Sequence, residues 1–445
     1  MMDGAETDLL SRLSSATGNG VARRRACAAA ASTEYQPAAA VSYQSGGRLL
    51  IVGAEAGTLA AVAEQLEERD SLQCTVLVTE QTSAAGAESG TALIRSELTS
   101  LAGHLGQFRV QLESSAAMAA LTVATGKTEA QFDLVLDLSS PPILRSEILP
   151  PGYYAPADAA ALQQALRELP TLVGEFEKPR YFRYNASICA HGRSGITACT
   201  RCLDACPTDA IVSIGDSIEV DPKLCQGAGS CAAVCPTGAS SYAYPQLGDT
   251  LQRLRTLLKS YRQEGGDRAV LLLHDAEDGR RRLATLAQQL PENVIPFEIE
   301  EVGSAGMDTW LAALAYGASA LWLLVTPGVP VSVMTAIEAQ VNIARAILEG
   351  MGYPAEVLQI SSPDAGALSQ LFESRLPVFA PDYAQFAALD EKRTVIRLAV
   401  DHLYEQAPAP RPLVSLPAGS PFGEVEISAE RCTLCMACVS QCPAN

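Results

Sequence analysis

The residues of this chain that could do chemistry are its cysteines. Seven of them fall in one stretch: Cys189, Cys199, Cys202, Cys206, Cys225, Cys231 and Cys235. Cys199, Cys202 and Cys206 form a C-x2-C-x3-C-P run closed by Pro207, and Cys225, Cys231 and Cys235 a C-x5-C-x3-C-P run closed by Pro236. Thiolates at such spacing wrap a loop around one face of an iron–sulfur cluster, and the last cysteine of each run crosses to the other run's cluster. Proline after that last ligand lacks an N–H and fixes its own φ, which turns the chain away from the metal. A zinc ribbon also clusters cysteines, but seldom with two C-P endings and crossed halves.

The crossing rule groups Cys189, Cys199, Cys202 and Cys235 around a first cluster, and Cys206, Cys225 and Cys231 around a second. Cys189 stands ten residues before Cys199 where two intervening residues are usual, so 190–198 is expected as a loop on the cluster rim. His191 in that loop could replace a thiolate, although a surface histidine beside a cysteine ligand is the commoner case. The middle position of the second run is Ala228, which cannot bind iron. The second site is therefore a three-iron cluster missing that corner, a four-iron cluster with an outside ligand such as water or a carboxylate, or a structural remnant without a cluster, which the three remaining cysteines disfavour. A further run, Cys432, Cys435, Cys438 and Cys442 followed by Pro443, has unmodified C-x2-C-x2-C-x3-C-P spacing. Three of its thiols serve one cluster and Cys442 points to another, so the run is expected to be incomplete alone and mobile. The chain reads as truncated after it.

The remaining composition narrows the class. Of the 13 cysteines only Cys27 and Cys74 stand outside these runs, which points to a reducing compartment and metal ligation, not disulfides. A formal charge of −18 would repel a phosphate backbone, so no nucleic-acid partner is expected. The longest apolar stretch, 311–325, is interrupted by Gly317 and Ser319 and predicts no integral membrane span. Arg23, Arg24 and Arg25 precede an alanine run too weakly apolar for a signal peptide. The expected location is cytoplasmic.

Around the cysteines, the periodicity predicts the following order. Residues 1–46 read as a flexible arm or partial helix. From 47 to 145 a βαβ opening (strand 49–52, helix 58–69, strand 74–78) is followed by strands at 108–112, 121–124 and 132–138. Proline pairs near 141 and 150 mark a boundary, and 146–180 is a linker with a helix at 158–168. The cysteine module spans 181–245, with a hairpin of 210–214 and 218–220 between its two runs. From 246 to 405 helices and strands alternate, which predicts a parallel sheet flanked by helices. A proline-rich linker, 406–424, precedes the last run at 425–445.

No other constellation competes. The turn from Gly53 to Thr58 with Glu80 beyond the second strand suggests a dinucleotide site, but Glu55 and Thr58 occupy positions where the fingerprint needs glycine. A structural βα turn is the expectation there. His104, His191, His274 and His402 are scattered, and no nucleophile–base motif occurs.

The cysteine runs at 199–238 and 432–443 resemble the bacterial ferredoxin family. Residues 300–363 resemble, more loosely, the delta subunit of methyl-viologen-reducing hydrogenase. The shared pattern is Ala312 to Ala318, a strand at 321–325, a long helix, Gly352 and a strand ending at Ser361 and Ser362. That family has cysteines after the strand, where this chain has Thr326 to Pro330, so only the fold carries over. The layout is similar to proteobacterial multi-cluster iron–sulfur proteins associated with formate dehydrogenases. That resemblance is carried by Gly46 to Val52, Val173 to Pro179, Cys189 to His191 and Pro408 through Pro443. It implies electron transfer between redox protein partners, with a formate dehydrogenase as one of them. The expected fold is α/β domains with an inserted α+β two-cluster ferredoxin module and the first half of a second. The expected cofactors are 4Fe-4S and, at the second site, 3Fe-4S clusters. Rival readings are a flavin- or nicotinamide-dependent oxidoreductase subunit and an accessory protein for molybdoenzyme maturation.

Overall fold

A computed structural model describes residues 9–67, 71–79, 92–125, 130–193, 196–361, 365–373, 382–387, 389–423 and 426–440. Two parallel sheets dominate. The first has five strands in the order Ala92–Arg95, Gln73–Val78, Arg48–Gly53, Leu134–Asp137 and Tyr153–Tyr154. Arg48–Gly53 is central and Leu49, Leu50, Ile51 and Val52 are fully buried, as a strand covered on both faces requires. At its start Arg48 clamps Asp133, with Nε and Nη2 donating to the two carboxylate oxygens at 2.8 and 2.6 Å.

Several sequence expectations shift here. Residues 121–124 lie in the helix Ser115–Thr125, not a strand. Leu121 is buried and Val123 is 81% exposed, so the apolar run serves one helix face and wastes the other. The proline pairs near 141 and 150 do not end the sheet, because Tyr153–Tyr154 adds a parallel edge strand beyond them. The Tyr153 hydroxyl donates to the buried Asp137 carboxylate. The helix expected at 158–168 is present as Ala159–Glu168, and its Ala165 and Leu166, with Leu169 after it, join the core beneath that sheet. Gly174–Pro179 then pairs antiparallel with Ala40–Ser45.

The segment expected as a flexible arm or partial helix contains the helix Gly18–Ala31, packed on Leu247–Gln263. Ala22, Ala26 and Ala30 recur every four residues and are buried, so the two helix backbones can approach closely. The alanine run carries little apolar contrast along its sequence, and this is why its periodicity looked weak. Arg23 is buried and donates from Nη1 to the carbonyls of Pro291 and Val294, both at 2.8 Å. Glu292 accepts from Ser14 Oγ, Ala16 N and Thr17 N, each at 2.6 Å.

The second sheet orders Val294–Ile299, Val270–Asp275, Ala320–Leu324 and Leu358–Ser361, all parallel. The alternation predicted for 246–405 is present, with an additional helix at Ala365–Glu373. The long helix Val331–Gly350 is apolar enough by composition to cross a membrane, but it buries Val333, Ile337, Val341, Ala344 and Leu348 against this domain. In sequence, the cysteine-rich segment lies between the two sheets. It consists of an outer pair, Phe182–Tyr184 with Ser240–Tyr242, an inner hairpin, Ile211–Ile214 with Ser217–Val220, and the short helices Arg201–Asp204 and Ser230–Val234.

Candidate iron–sulfur site

Each short helix of the cysteine-rich segment carries a cysteine run and delivers it to the ends of the strand pairs. Two cavities result. One is lined by Cys189, Cys199, Cys202 and Cys235. The other is lined by Cys206, Cys225 and Cys231. Both groupings follow the crossed pairing of the runs, and the helix Ser230–Val234 passes Cys231 to one cavity and Cys235 to the other. Among the described residues, no three His, Cys, Asp or Glu side chains converge to hold a single metal ion. The thiols surround a volume, as a multi-iron cluster requires, whereas a zinc ribbon gathers its sulfurs at about 2.3 Å from one point.

The sulfur environments repeat across the two halves. Thr208 Oγ1 lies 3.4 Å from Cys206 Sγ, and Thr237 Oγ1 lies 3.7 Å from Cys235 Sγ, each two residues after its cysteine and directly after the proline. The Ser240 N–H donates to Cys235 Sγ at 3.4 Å. Burial pushes the Cys202 and Cys231 thiols up to about 12, so as free thiols they hold their protons. Bound iron would displace those protons, since a metal-coordinating thiol is deprotonated outright. Burial also raises Cys225, opposed by the Gly227 N–H and the charge of Lys178. Lys178 comes from the strand Gly174–Pro179 and donates to the carbonyls of Cys225 and Lys223 at 2.6 and 2.9 Å. Its own burial depresses it to about 8.

His191 is buried, not a surface residue. Its Nδ1 meets the Cys199 carbonyl and its Nε2 the Ser213 hydroxyl, both at 2.7 Å. With Nδ1 donating to a carbonyl, Nε2 is the acceptor from Ser213, and no lone pair remains for iron. The residue pins the rim loop to the inner hairpin instead.

Ala228 lines the second cavity where a ligand would complete the run. Among the described residues that line it no carboxylate occurs. Its oxygen-bearing side chains include Ser230, which donates to the Ala205 carbonyl at 2.6 Å, and Gln226, whose amide donates to the Leu149 carbonyl at 2.6 Å. The loop is pressed against the second α/β domain: a Cβ on Gly303 would sit 2.4 Å from the Ala228 carbonyl oxygen, so only glycine fits. Lys392, from the helix Lys392–Glu405, is buried and donates to the carbonyls of Ala232 and Ala233 at 2.8 and 2.5 Å. Sequence reasoning missed Lys178, Gly303 and Lys392, because each reaches the cysteines from a distant segment.

In the C-terminal run Cys432, Cys435 and Cys438 are exposed. Cys442 lies outside the described residues. Leu434 and Met436 hold φ of 56° and 59°, a left-handed conformation that non-glycine residues adopt only where something over-determines it. The Cys435 thiol lies below its ordinary range because the Ala437 N–H and the Thr433 hydroxyl donate to it. At the βα turn of the first domain, Thr58 Oγ donates to the Glu55 carboxylate at 2.7 Å, which closes the turn on itself. Glu80 lies outside the described residues.

Comparison with known proteins fits this geometry. Residues 197–239 match the 4Fe-4S dicluster domain family, and residues 425–445 the 4Fe-4S binding domain family. A protein described as "Ferredoxin 7Fe", from Hydrogenibacillus schlegelii, is 42% identical over 38 residues, or 8% of this chain. The chain spans about half the length of that curated relative, 49% of it. The chain thus carries two segments that match ferredoxin-type 4Fe-4S domains.

Proposed function

We propose that the module at 181–245 holds two clusters of unequal type and relays single electrons between redox proteins. Cys189, Cys199, Cys202 and Cys235 hold a 4Fe-4S cluster, and Cys206, Cys225 and Cys231 a 3Fe-4S cluster. The observation that carries this reading is the pair of cavities, one lined by four cysteines and the other by three with Ala228 beside them. The name of the relative, a seven-iron ferredoxin, favours the same division. When bound, such clusters supply one-electron exchange. The chain's own residues exclude water, hold each sulfur as thiolate through N–H groups such as that of Ser240, and set the local field with Lys178. The module is inserted between two structural α/β domains, and Cys432, Cys435, Cys438 and Cys442 serve a further centre.

The proposed context is a formate dehydrogenase in the cytoplasm, a reading that rests on the resemblance along the chain. Recovery of a molybdenum formate dehydrogenase with this protein from its native host supports it. Recovery of other redox enzymes alone refutes it. Iron and acid-labile sulfide analysis tests the cluster assignment, with seven irons expected from 181–245 once Cys432, Cys435 and Cys438 are replaced by serine. Eight irons with all-cysteine ligation would contradict it.

A further inference from the structure

Two buried threonines occupy equivalent places in the two halves of the module. Thr208 follows the step from Cys206 to Pro207, and Thr237 the step from Cys235 to Pro236. Thr208 is 5% exposed and Thr237 8%, and each lines the same cavity as its cysteine. Cys206 and Cys235 are the two cysteines that cross from their own run to the other run's cavity. The proline between cysteine and threonine has no N–H, so the residue next to the sulfur offers it no backbone donor. A hydroxyl stands one residue further on instead, 3.4 Å from Cys206 Sγ and 3.7 Å from Cys235 Sγ.

Chemistry fixes the direction of these contacts. Between a free thiol and a hydroxyl either atom donates, but a sulfur bound to iron carries no proton, and only the hydroxyl is left to donate. At Thr237 the oxygen is already engaged, because it accepts from the Ala239 N–H at 3.3 Å. Its own hydrogen is then free for Cys235 Sγ, which also accepts from the Ser240 N–H at 3.4 Å. A donor aimed at a thiolate withdraws charge from the sulfur, and reduction adds one negative charge to the centre that the sulfur holds. The bond is therefore stronger in the reduced state, and hydrogen bonds to the sulfurs are among the factors that set a centre's potential.

We propose that Thr208 and Thr237 raise the potentials of the two centres independently, each by donating its hydroxyl to a crossing sulfur, Thr208 to Cys206 and Thr237 to Cys235. Neither is a ligand; both are positioning residues that act through one. Because the runs cross, Thr237 acts on the centre of Cys189, Cys199, Cys202 and Cys235, although it stands in the run of Cys225 and Cys231. Thr208 acts on the centre of Cys206, Cys225 and Cys231, although it stands in the run of Cys199 and Cys202. This inference rests on the cluster assignment proposed above.

The test is EPR-monitored redox titration of the iron-loaded full chain, with Cys432, Cys435 and Cys438 replaced by serine. Thr237→Val should lower the potential of the first centre and leave the second in place, and Thr208→Val should do the reverse. The expected loss is about threefold or more in the ratio of reduced to oxidised centre at a fixed potential, about 28 mV at 59 mV per factor of ten. Thr237→Ser and Thr208→Ser keep the hydroxyl and should restore the unaltered values. Thr237→Ala and Thr208→Ala give the same reading if the branched valine disturbs iron loading. A shift of both centres by one substitution, no shift with iron retained, or a shift that serine fails to reverse overturns the proposal. So does loss of iron in the valine, alanine and serine variants alike, which would make the threonines structural. Failure of the cluster assignment shows instead in the unaltered protein, as two four-iron centres, and each threonine can still be tested there against one centre of the two.

Discussion

Replacing Lys392 with methionine tests whether the second α/β domain holds the cysteine-bearing helix in place. The ammonium group donates to the last carbonyls of Ser230–Val234, those of Ala232 and Ala233, from a side chain that is 9% exposed. A hydrogen bond from a charged donor contributes about 1.5–3 kcal/mol, and methionine keeps most of the apolar packing but withdraws both donated bonds, the Ala232 carbonyl keeping only the Cys235 N–H. Two such bonds, less the desolvation that Lys392 no longer bears, give a local loss of about 3 kcal/mol. At about 1.4 kcal/mol per factor of ten, the helix should open more than 100-fold more often. The assay is native-state hydrogen exchange at the amides of Ala233 and Cys235, with iron retention in the presence of a chelator as the functional readout. Lys392→Arg should restore part of the protection. Less than fivefold acceleration with iron retained would refute the reasoning, and would mean that water satisfies the carbonyls.

Arg48→Met should destabilise the first α/β domain by about 3–5 kcal/mol, because the buried Asp133 carboxylate loses its bidentate partner, whereas a double replacement with Asp133→Leu should recover much of it; denaturant unfolding checks both. The Glu292 carboxyl is held down to about 2 by the Ser14 and Thr17 side chains. A depressed folded-state value means that its contribution is present above the ordinary carboxylate range and fades as pH falls toward 2, so 9–31 should become protease-sensitive over that window. Glu292→Gln should show the same sensitivity at neutral pH, and resistance there would count against the anchor. Lys178→Gln should lower the potential of the centre held by Cys206, Cys225 and Cys231 and leave that at Cys189, Cys199, Cys202 and Cys235 nearly unmoved, as read by EPR-monitored redox titration. An equal shift of both would deny Lys178 its local role.

Spacing made the cysteine sets legible because metal ligation imposes short, fixed intervals that packing does not. The parallel sheet at 270–361 was legible for a similar reason, since strands buried on both faces are written as continuous apolar runs. The helix Gly18–Ala31 was legible only as a partial helix, and its packing was not, because alanine packs by smallness and leaves no apolar contrast along the sequence. Tyr153–Tyr154 was hidden by the prolines before it, which mark a turn into an edge strand as readily as a domain boundary. His191 was read as exposed because a lone histidine gives no sign of partners such as Ser213, twenty-two residues away in sequence. Lys178 and Lys392 act through carbonyls of residues 45 to 160 positions distant, contacts that only the folded chain brings together.

The inequality of the two cavities is the central claim, and EPR of the oxidised protein measures it most directly. With Cys432, Cys435 and Cys438 replaced by serine, one three-iron signal should appear in the isolated protein. Ala228→Cys should abolish that signal and raise the iron content by one. A silent spectrum in the unaltered module with eight irons bound, or a three-iron signal that persists in Ala228→Cys, would contradict the account.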